Sequence, residues 1–364
     1  MPAYFSFTFL MIDVLWLVDM IYVFISLLIL QITVILCIAF YKKRNENNKT
    51  IWKELLATQI SEAVFYEGTA EGLQQLILLP GNLQNNKKFR QLFIDEIIHT
   101  KKSFTGTPHS NLILLYQQFN LYKDSYKKLH SRKWQVKAKG VQELAMMEQT
   151  MYVKEFFRLS NHKNELLRNE AQCGLVSLYG FKGLRFLNVT TKPLSEWQQI
   201  QLLNKLNEVT AVNFEPMKKW LLSSNESVIL FSIKLAEFYK CFALYSNVLK
   251  CLQHPSTKIK LSTLEYLKKM PEEDTCDQVI ASYFSADKIC RLAILDILKV
   301  TGCKKQIPFL LMQLQDTDDD IKAATAKTIS ALHPSGPAFL QAQRYADINP
   351  WKTIFLQINQ ERVA

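Results

Sequence analysis

Residues Met20 to Tyr41 read MIYVFISLLILQITVILCIAFY, 22 positions with Gln31 as the one strongly polar side chain. No other stretch narrows the folding options of the chain so far. A helix apolar on every side needs burial all round or a hydrocarbon solvent. About 20 apolar residues suffice to cross a bilayer, and a segment without charges inserts readily. Lys42, Lys43 and Arg44 follow at once, then NENNK, whereas the residues before the run hold no Lys or Arg and only Asp13 and Asp19. The positive-inside rule then puts the N-terminus outside and everything after Lys42 in the cytoplasm, with those three cations as a juxtamembrane anchor. A cleaved signal peptide would show a positive start, a shorter apolar core and a small-residue cleavage site, and none is visible. Tyr4 to Val18 is also apolar, but Asp13 and Asp19 argue against a second span. Residues 1–19 are therefore expected to be extracytoplasmic or interfacial and residues 20–41 to cross the membrane. The Lys-, Asn- and Ile-rich usage points to a bacterial inner membrane.

The rest of the chain is expected to be helical. Glycine (10) and proline (11) are scarce for 364 residues, and long runs without breakers favour helices. Apolar residues at 48% and charged residues at 21% are the balance of a folded domain rather than a disordered one. The seven cysteines form no CxxC pair and no cluster with zinc spacing, so a reducing compartment is expected, with no metal and no cofactor.

One unit recurs after the anchor: a short helix, a polar loop and a longer amphipathic helix. The clearest copies begin at Met151, Phe214, Tyr245, Cys276 and Lys305. Taking the first inward residue of each second helix gives Val136, Leu167, Gln198, Val228, Ile259, Ile289 and Ile321, spaced 31, 31, 30, 31, 30 and 32 residues apart. Positions 8 and 11 further on are nearly always apolar, as in Leu144 and Met147, Leu175 and Leu178, Leu206 and Val209, Ile297 and Val300, and Ile329 and Leu332. These steps share one helix face. A lone pair cannot cover its own apolar face, so stacked neighbours must share a core.

The pattern resembles the HEAT-repeat family, whose second helices often open with an apolar–basic pair and a small residue three positions later. Leu167–Arg168 with Ala171, Ile259–Lys260 with Thr263, Ile321–Lys322 with Thr325, and Val136–Lys137 with Gly140 fit it. Val228–Ile229 lacks the base, Gln198 replaces the apolar residue, and the period is shorter than the usual HEAT length of roughly 40 residues. The resemblance covers residues 121–334 and implies an all-α fold, a right-handed α-solenoid of about seven helix pairs preceded by one transmembrane helix. Residues 42–120 are expected to form a juxtamembrane helical linker or cap, and 335–364 a C-terminal capping segment.

Charge is unevenly placed. Of the chain's net +11, the stretch 85–139 alone carries 12 Lys/Arg against 3 Asp/Glu. Its densest part is Lys123, Lys127, Lys128, Arg132, Lys133, Lys137 and Lys139, a candidate surface for anionic lipid or an acidic protein; the bland reading is a solvated helix face. Nucleic acid is the less favoured partner, since Tyr122, Tyr126 and Trp134 read as core or interface rather than stacking platforms. The run Asp316–Asp320 lacks the glycine and glutamate of a calcium loop, so it reads as a helix cap. Ser224–Asn225, Ser256 and Ser285 are expected to cap in the same way. His162 and His254 read as turn residues. No nucleophile elbow, phosphate loop or metalloprotease motif occurs. The carboxylates Glu170, Glu237, Glu265 and Asp296 leave open a helical-repeat enzyme acting on nucleic acid or a lipid-linked substrate. A non-enzymatic scaffold binding a protein partner is the leading expectation, and an electrostatic binder of anionic membrane surface a third.

Overall fold

A computed structural model of the chain describes residues 3–69, 72–73, 79–207, 213–333, 335–341 and 351–363, all helices and turns with no strand among them. Two compact units divide at Gln149 and Thr150. The expected boundary at 120/121 therefore falls inside the first unit rather than between two domains.

Helix α1 runs unbroken from Ala3 to Val64. Its two halves obey different rules. From Trp16 to Tyr41 every described large apolar side chain is exposed, and this is the one helix among the described residues long and apolar enough to cross a membrane. Beyond Asn45 the helix becomes one-sided: Leu56, Ile60, Ala63 and Val64 are buried, the 3–4 spacing of a stripe that faces a core. Residues 42–64 continue the apolar helix into the core of the first unit. α2 (Lys87–Lys101) and α3 (Thr107–Gln118) supply the other walls of that core. Phe89, Phe93, Ile94 and Ile97 meet Leu112, Leu115 and Tyr116, and the Trp52 ring stands edge-on to Phe89 at 5.8 Å. The end of α1 is tied down by Asn111, whose Nδ2 donates to the carbonyls of Ala63 (2.9 Å) and Tyr66 (2.8 Å). α4 (Tyr122–Leu129) and α5 (Trp134–Met146) complete the unit. They pack closely because Gly140 has no side chain: a Cβ there would meet the Leu129 amide at 2.6 Å.

The second unit opens with α6 (Val153–Leu159), α7 (Glu165–Tyr179) and a 3₁₀ segment, Gly180–Asn188. Then follow α8 (Glu196–Leu206), α9 (Glu215–Trp220), α10 (Glu226–Phe238), α11 (Tyr245–Leu249) and α12 (Thr257–Lys269). α13 (Thr275–Tyr283), α14 (Lys288–Thr301), α15 (Ile307–Gln313) and α16 (Asp319–Leu332) come next. α17 (Gly336–Gln341) and α18 (Trp351–Val363) both pack on α16. Longer helices pack in series, α10 on α12, α12 on α14 and α14 on α16, each with its shorter predecessor alongside.

The longer helices share one register. N-cap residues fall at Lys133, Asn164, Ser195, Asn225, Ser256, Asp287 and Asp318, at intervals of 31, 31, 30, 31, 31 and 31 residues. The third helical residue after each cap is Val136, Leu167, Gln198, Val228, Ile259, Cys290 and Ile321, and all but Val136 are buried. Four positions on stand Gly140, Ala171, Leu202, Ser232, Thr263, Ile294 and Thr325, and eight on stand Leu144, Leu175, Leu206, Ala236, Leu267, Leu298 and Ile329, every one buried. The expected register at Ile289 and Val300 is off by one: both are exposed, and Cys290 takes the inward place because Asp287 caps its amide at 2.9 Å. Val136 is exposed, and Val209 lies outside the described residues. Gln198 fits for a local reason. Its side chain accepts from the Ser195 amide while Ser195 accepts from the Gln198 amide, a reciprocal cap that places a glutamine at this position.

Two buried hydroxyls of this stripe are satisfied within their own helices, Ser232 donating to the Val228 carbonyl (2.7 Å) and Thr263 to that of Ile259 (2.8 Å). Along the edge of the second unit, side chains about 30 residues apart are bonded. Examples are Thr257 to Asp287 (2.6 Å), Ser256 to Glu226 (3.1 Å), and Lys288 to Asp318 (2.7 Å) and Asp320 (2.6 Å). Exposed ion pairs of this kind contribute only about 0–1 kcal/mol each, so the apolar stripes carry the stacking and the pairs fix its register.

Candidate functional site

The seven cations of the 123–139 patch do not act alike. Lys128 is a structural residue: its ammonium lies 2.6 and 2.7 Å from the two carboxylate oxygens of buried Glu143, which also accept from Ser125 Oγ (2.6 Å) and Gln91 Nε2 (2.9 Å). A carboxylate this deep needs such partners, so Lys128 cannot also serve an outside ligand. Lys139 pairs with Asp95 at 3.1 Å and approaches Glu143 at 3.9 Å. Lys123 stands over the Tyr122 ring, 5.8 Å from its centre. Lys123, Lys127, Arg132 and Lys133 are exposed and Lys137 is half-exposed, with no carboxylate in ion-pair range among the described residues. The patch is therefore smaller than the sequence suggested and spread over α4, α5 and the turn between them. Lys42, Lys43 and Arg44 are exposed on the continuous helix α1.

A more enclosed feature lies in the second unit, where sequence reasoning did not look. A groove of about 710 Å³ is bounded by Val153, Lys154 and Phe157 of α6, by Leu175 and Tyr179 of α7, and by the 3₁₀ segment that follows. Two glycines make it. Gly180 leaves α7 at φ 56°, a left-handed turn open to glycine at no steric cost. Gly183 lets the segment lie directly on α7: a Cβ there would sit 2.3 Å from the Leu175 carbonyl oxygen. From that start, Phe181, Leu184, Phe186 and Leu187 are buried, and Phe181 packs against the rings of Trp220 and Phe214, each at 5.9 Å.

The 3₁₀ geometry decides what faces the groove. With three residues per turn, side chains at i and i+3 eclipse, so Lys182, Arg185 and Asn188 form one outward row. All three line the groove. Asn188 is held by the indole N–H of Trp220, which donates to its Oδ1 at 2.9 Å. Lys154 of α6 lines the groove as well, together with the exposed rings of Phe157 and Tyr179. No Asp or Glu lines the groove, and Lys154, Lys182 and Arg185 have no ion-pair partner among the described residues. The result is an apolar, partly aromatic floor with three unneutralised cations on its walls. Such a surface selects a ligand with an apolar body and negative charge. The sequence signal was available as the three-residue spacing in GFKGLRFLN, which fits neither a helix nor a strand period.

The candidate carboxylates separate by environment. Glu237 pairs with Lys269 and Asp296 with Lys268, each at 2.5 Å, and Glu265 is exposed. Burial holds the Glu170 carboxyl above its ordinary range, partly offset by Lys205. The same burial pushes the neighbouring Cys173 thiol up to about 11. In the Asp316–Asp320 run, Asp318 accepts from the amides of Asp320 (2.9 Å) and Ile321 (3.4 Å), and Lys288 neutralises it. That is a cap. Asn225 caps likewise, accepting from the Ser227 amide at 3.1 Å. Ser285 does not: its hydroxyl donates to the Ser282 carbonyl, and Asp287 takes the cap position. His162 and His254 each accept, through Nδ1, from the amide two residues on, that of the cap residues Asn164 (3.0 Å) and Ser256 (3.1 Å). Comparison of the chain with the models of known protein families and with characterised proteins finds no match to either.

Proposed function

We propose that this protein is a membrane-anchored helical-repeat adaptor. α1 crosses the membrane with its N-terminus outside, in a bacterial inner membrane, and HEAT-like helix pairs stack into a right-handed solenoid on the cytoplasmic side. The chain's work is to hold a protein partner there, and the groove of the second unit is the contact surface. The observation that carries the reading is the 30–31-residue recurrence of helix caps with buried residues four and eight positions past the third helical residue. A repeat of this kind builds an extended binding surface rather than a single catalytic pocket. The exposed apolar half of α1 supports the anchor, and the three free cations of the groove support a partner that presents an acidic segment with an aromatic or aliphatic side chain.

The test is photo-crosslinking in the native membrane from a benzoylphenylalanine placed at Phe157, with a second probe at exposed Leu222 as the control. The Phe157 probe is expected to capture one protein through an acidic segment, and Lys182→Glu/Arg185→Glu is expected to abolish that capture. No captured protein, or capture indifferent to the double substitution, would count against the groove as the adaptor surface.

A further inference from the structure

Lys42, Lys43 and Arg44 end the apolar run of α1, and the first turn of α2 comes to the same level from more than 40 residues away. The Lys88 ammonium lies 3.1 Å from Asn45 Oδ1 and 3.4 Å from the Tyr41 hydroxyl. It also stands over the Tyr41 ring, 5.4 Å from its centre. Tyr41 is the last residue of the apolar run. Lys87 is exposed beside Lys88. Five exposed cations therefore sit around one level of α1, and none has a carboxylate within ion-pair range among the described residues.

The fold fixes that level. α1 has no break between Tyr41 and the buried Leu56, so a helix rising 1.5 Å per residue sets the core about 22 Å past Tyr41. α2 is anchored to that core through Phe89, Phe93 and the Trp52–Phe89 ring pair. Its N-terminal lysines cannot drift away from Tyr41 without breaking the core. Tyrosine at the end of an apolar run belongs at headgroup depth.

We propose that Lys42, Lys43, Arg44, Lys87 and Lys88 form one basic rim that binds acidic phospholipid headgroups of the leaflet α1 leaves, clamping the first unit to the bilayer surface. This rests on the reading of α1 as a membrane span. Phosphate groups at that depth supply the counter-charges the rim lacks, and each cation near such a surface strengthens binding roughly fivefold.

The experiment uses the full-length protein in nanodiscs of phosphatidylcholine alone or mixed with phosphatidylglycerol, followed by hydrogen exchange. Amides of residues 87–95 are expected to exchange several-fold more slowly when phosphatidylglycerol is present, and high salt is expected to erase the difference. Lys87→Gln/Lys88→Gln, weakening the rim roughly twenty-five-fold, should erase it too, while residues 107–118 exchange alike throughout. Equal exchange in both lipids, or slowing that persists in the double variant, would overturn the rim. If the double variant loosens residues 107–118, Lys42→Gln/Lys43→Gln, far from the core, decides by the same criterion. A chain that fails to enter nanodiscs would remove the span, and the rim with it.

Discussion

The Glu143 carboxylate, almost out of reach of water, is held by Lys128, Ser125 and Gln91. Breaking a buried pair from one side costs about 3–5 kcal/mol, because the remaining charge stays buried. Glu143→Ala is therefore expected to lower stability by that amount in urea unfolding, and Glu143→Leu/Lys128→Met to recover most of it. If the double variant were as unstable as the single one, burial of Lys128 would not be the cause. Gly183→Ala drives a methyl group into the Leu175 carbonyl. Overpacking of this kind costs about 1–3 kcal/mol, and here it should also lift the 3₁₀ segment and widen the groove, seen as loss of the Phe157 crosslink. Such details were out of reach of the sequence. Lys128 reads there as one more surface cation, since spacing does not reveal that a carboxylate 15 residues on folds back beneath it.

Among the elements, the caps set the register. Asn164 and Asp287 each accept from a backbone amide in the first turn of the helix they cap. Asn164→Ala and Asp287→Ala should each cost about 1 kcal/mol, read as a lowered melting temperature. Lys133 caps α5 without a side-chain hydrogen bond, so Lys133→Ser should stabilise by about 0.5–1 kcal/mol. A pH dependence follows from the acidic caps. The hydrogen bond from Thr257, then that from the Cys290 amide, holds Asp287 below its ordinary value of 3.8, and the Lys288 ammonium does the same for Asp318. Depressed carboxyls contribute stability above their unfolded value that is lost as pH falls through the folded ones. The melting temperature is expected to drop below about pH 4, and Asp287→Asn/Asp318→Asn to flatten that drop. Most elements were legible from the sequence, because an apolar stripe of fixed period needs no knowledge of its neighbours. The miss at Ile289 shows the limit. Isoleucine is the more apolar residue, but the cap at Asp287 fixes where the helix begins, and with it which residue turns inward.

At the level of the whole molecule, the apolar run of α1 was plain in the sequence, and the continuation of that helix into the first unit's core was not. NENNK looks like a break by composition, yet it carries neither glycine nor proline, and α1 passes through it. The groove was hidden because its lining comes from two helices and a 3₁₀ row that no single period joins. Cysteine supplies a native probe of the arrangement as a whole: five of the seven thiols are buried, leaving exposed only Cys37, within the apolar run, and Cys303. The decisive measurement is labelling of the unmodified protein, in cells, with a membrane-impermeant maleimide, followed by extraction of the membranes at high pH. An anchored chain with its repeats inside should stay in the membrane pellet, with Cys303 labelled only after the cells are permeabilised. Release of the protein at high pH, or labelling of Cys303 in intact cells, would contradict it.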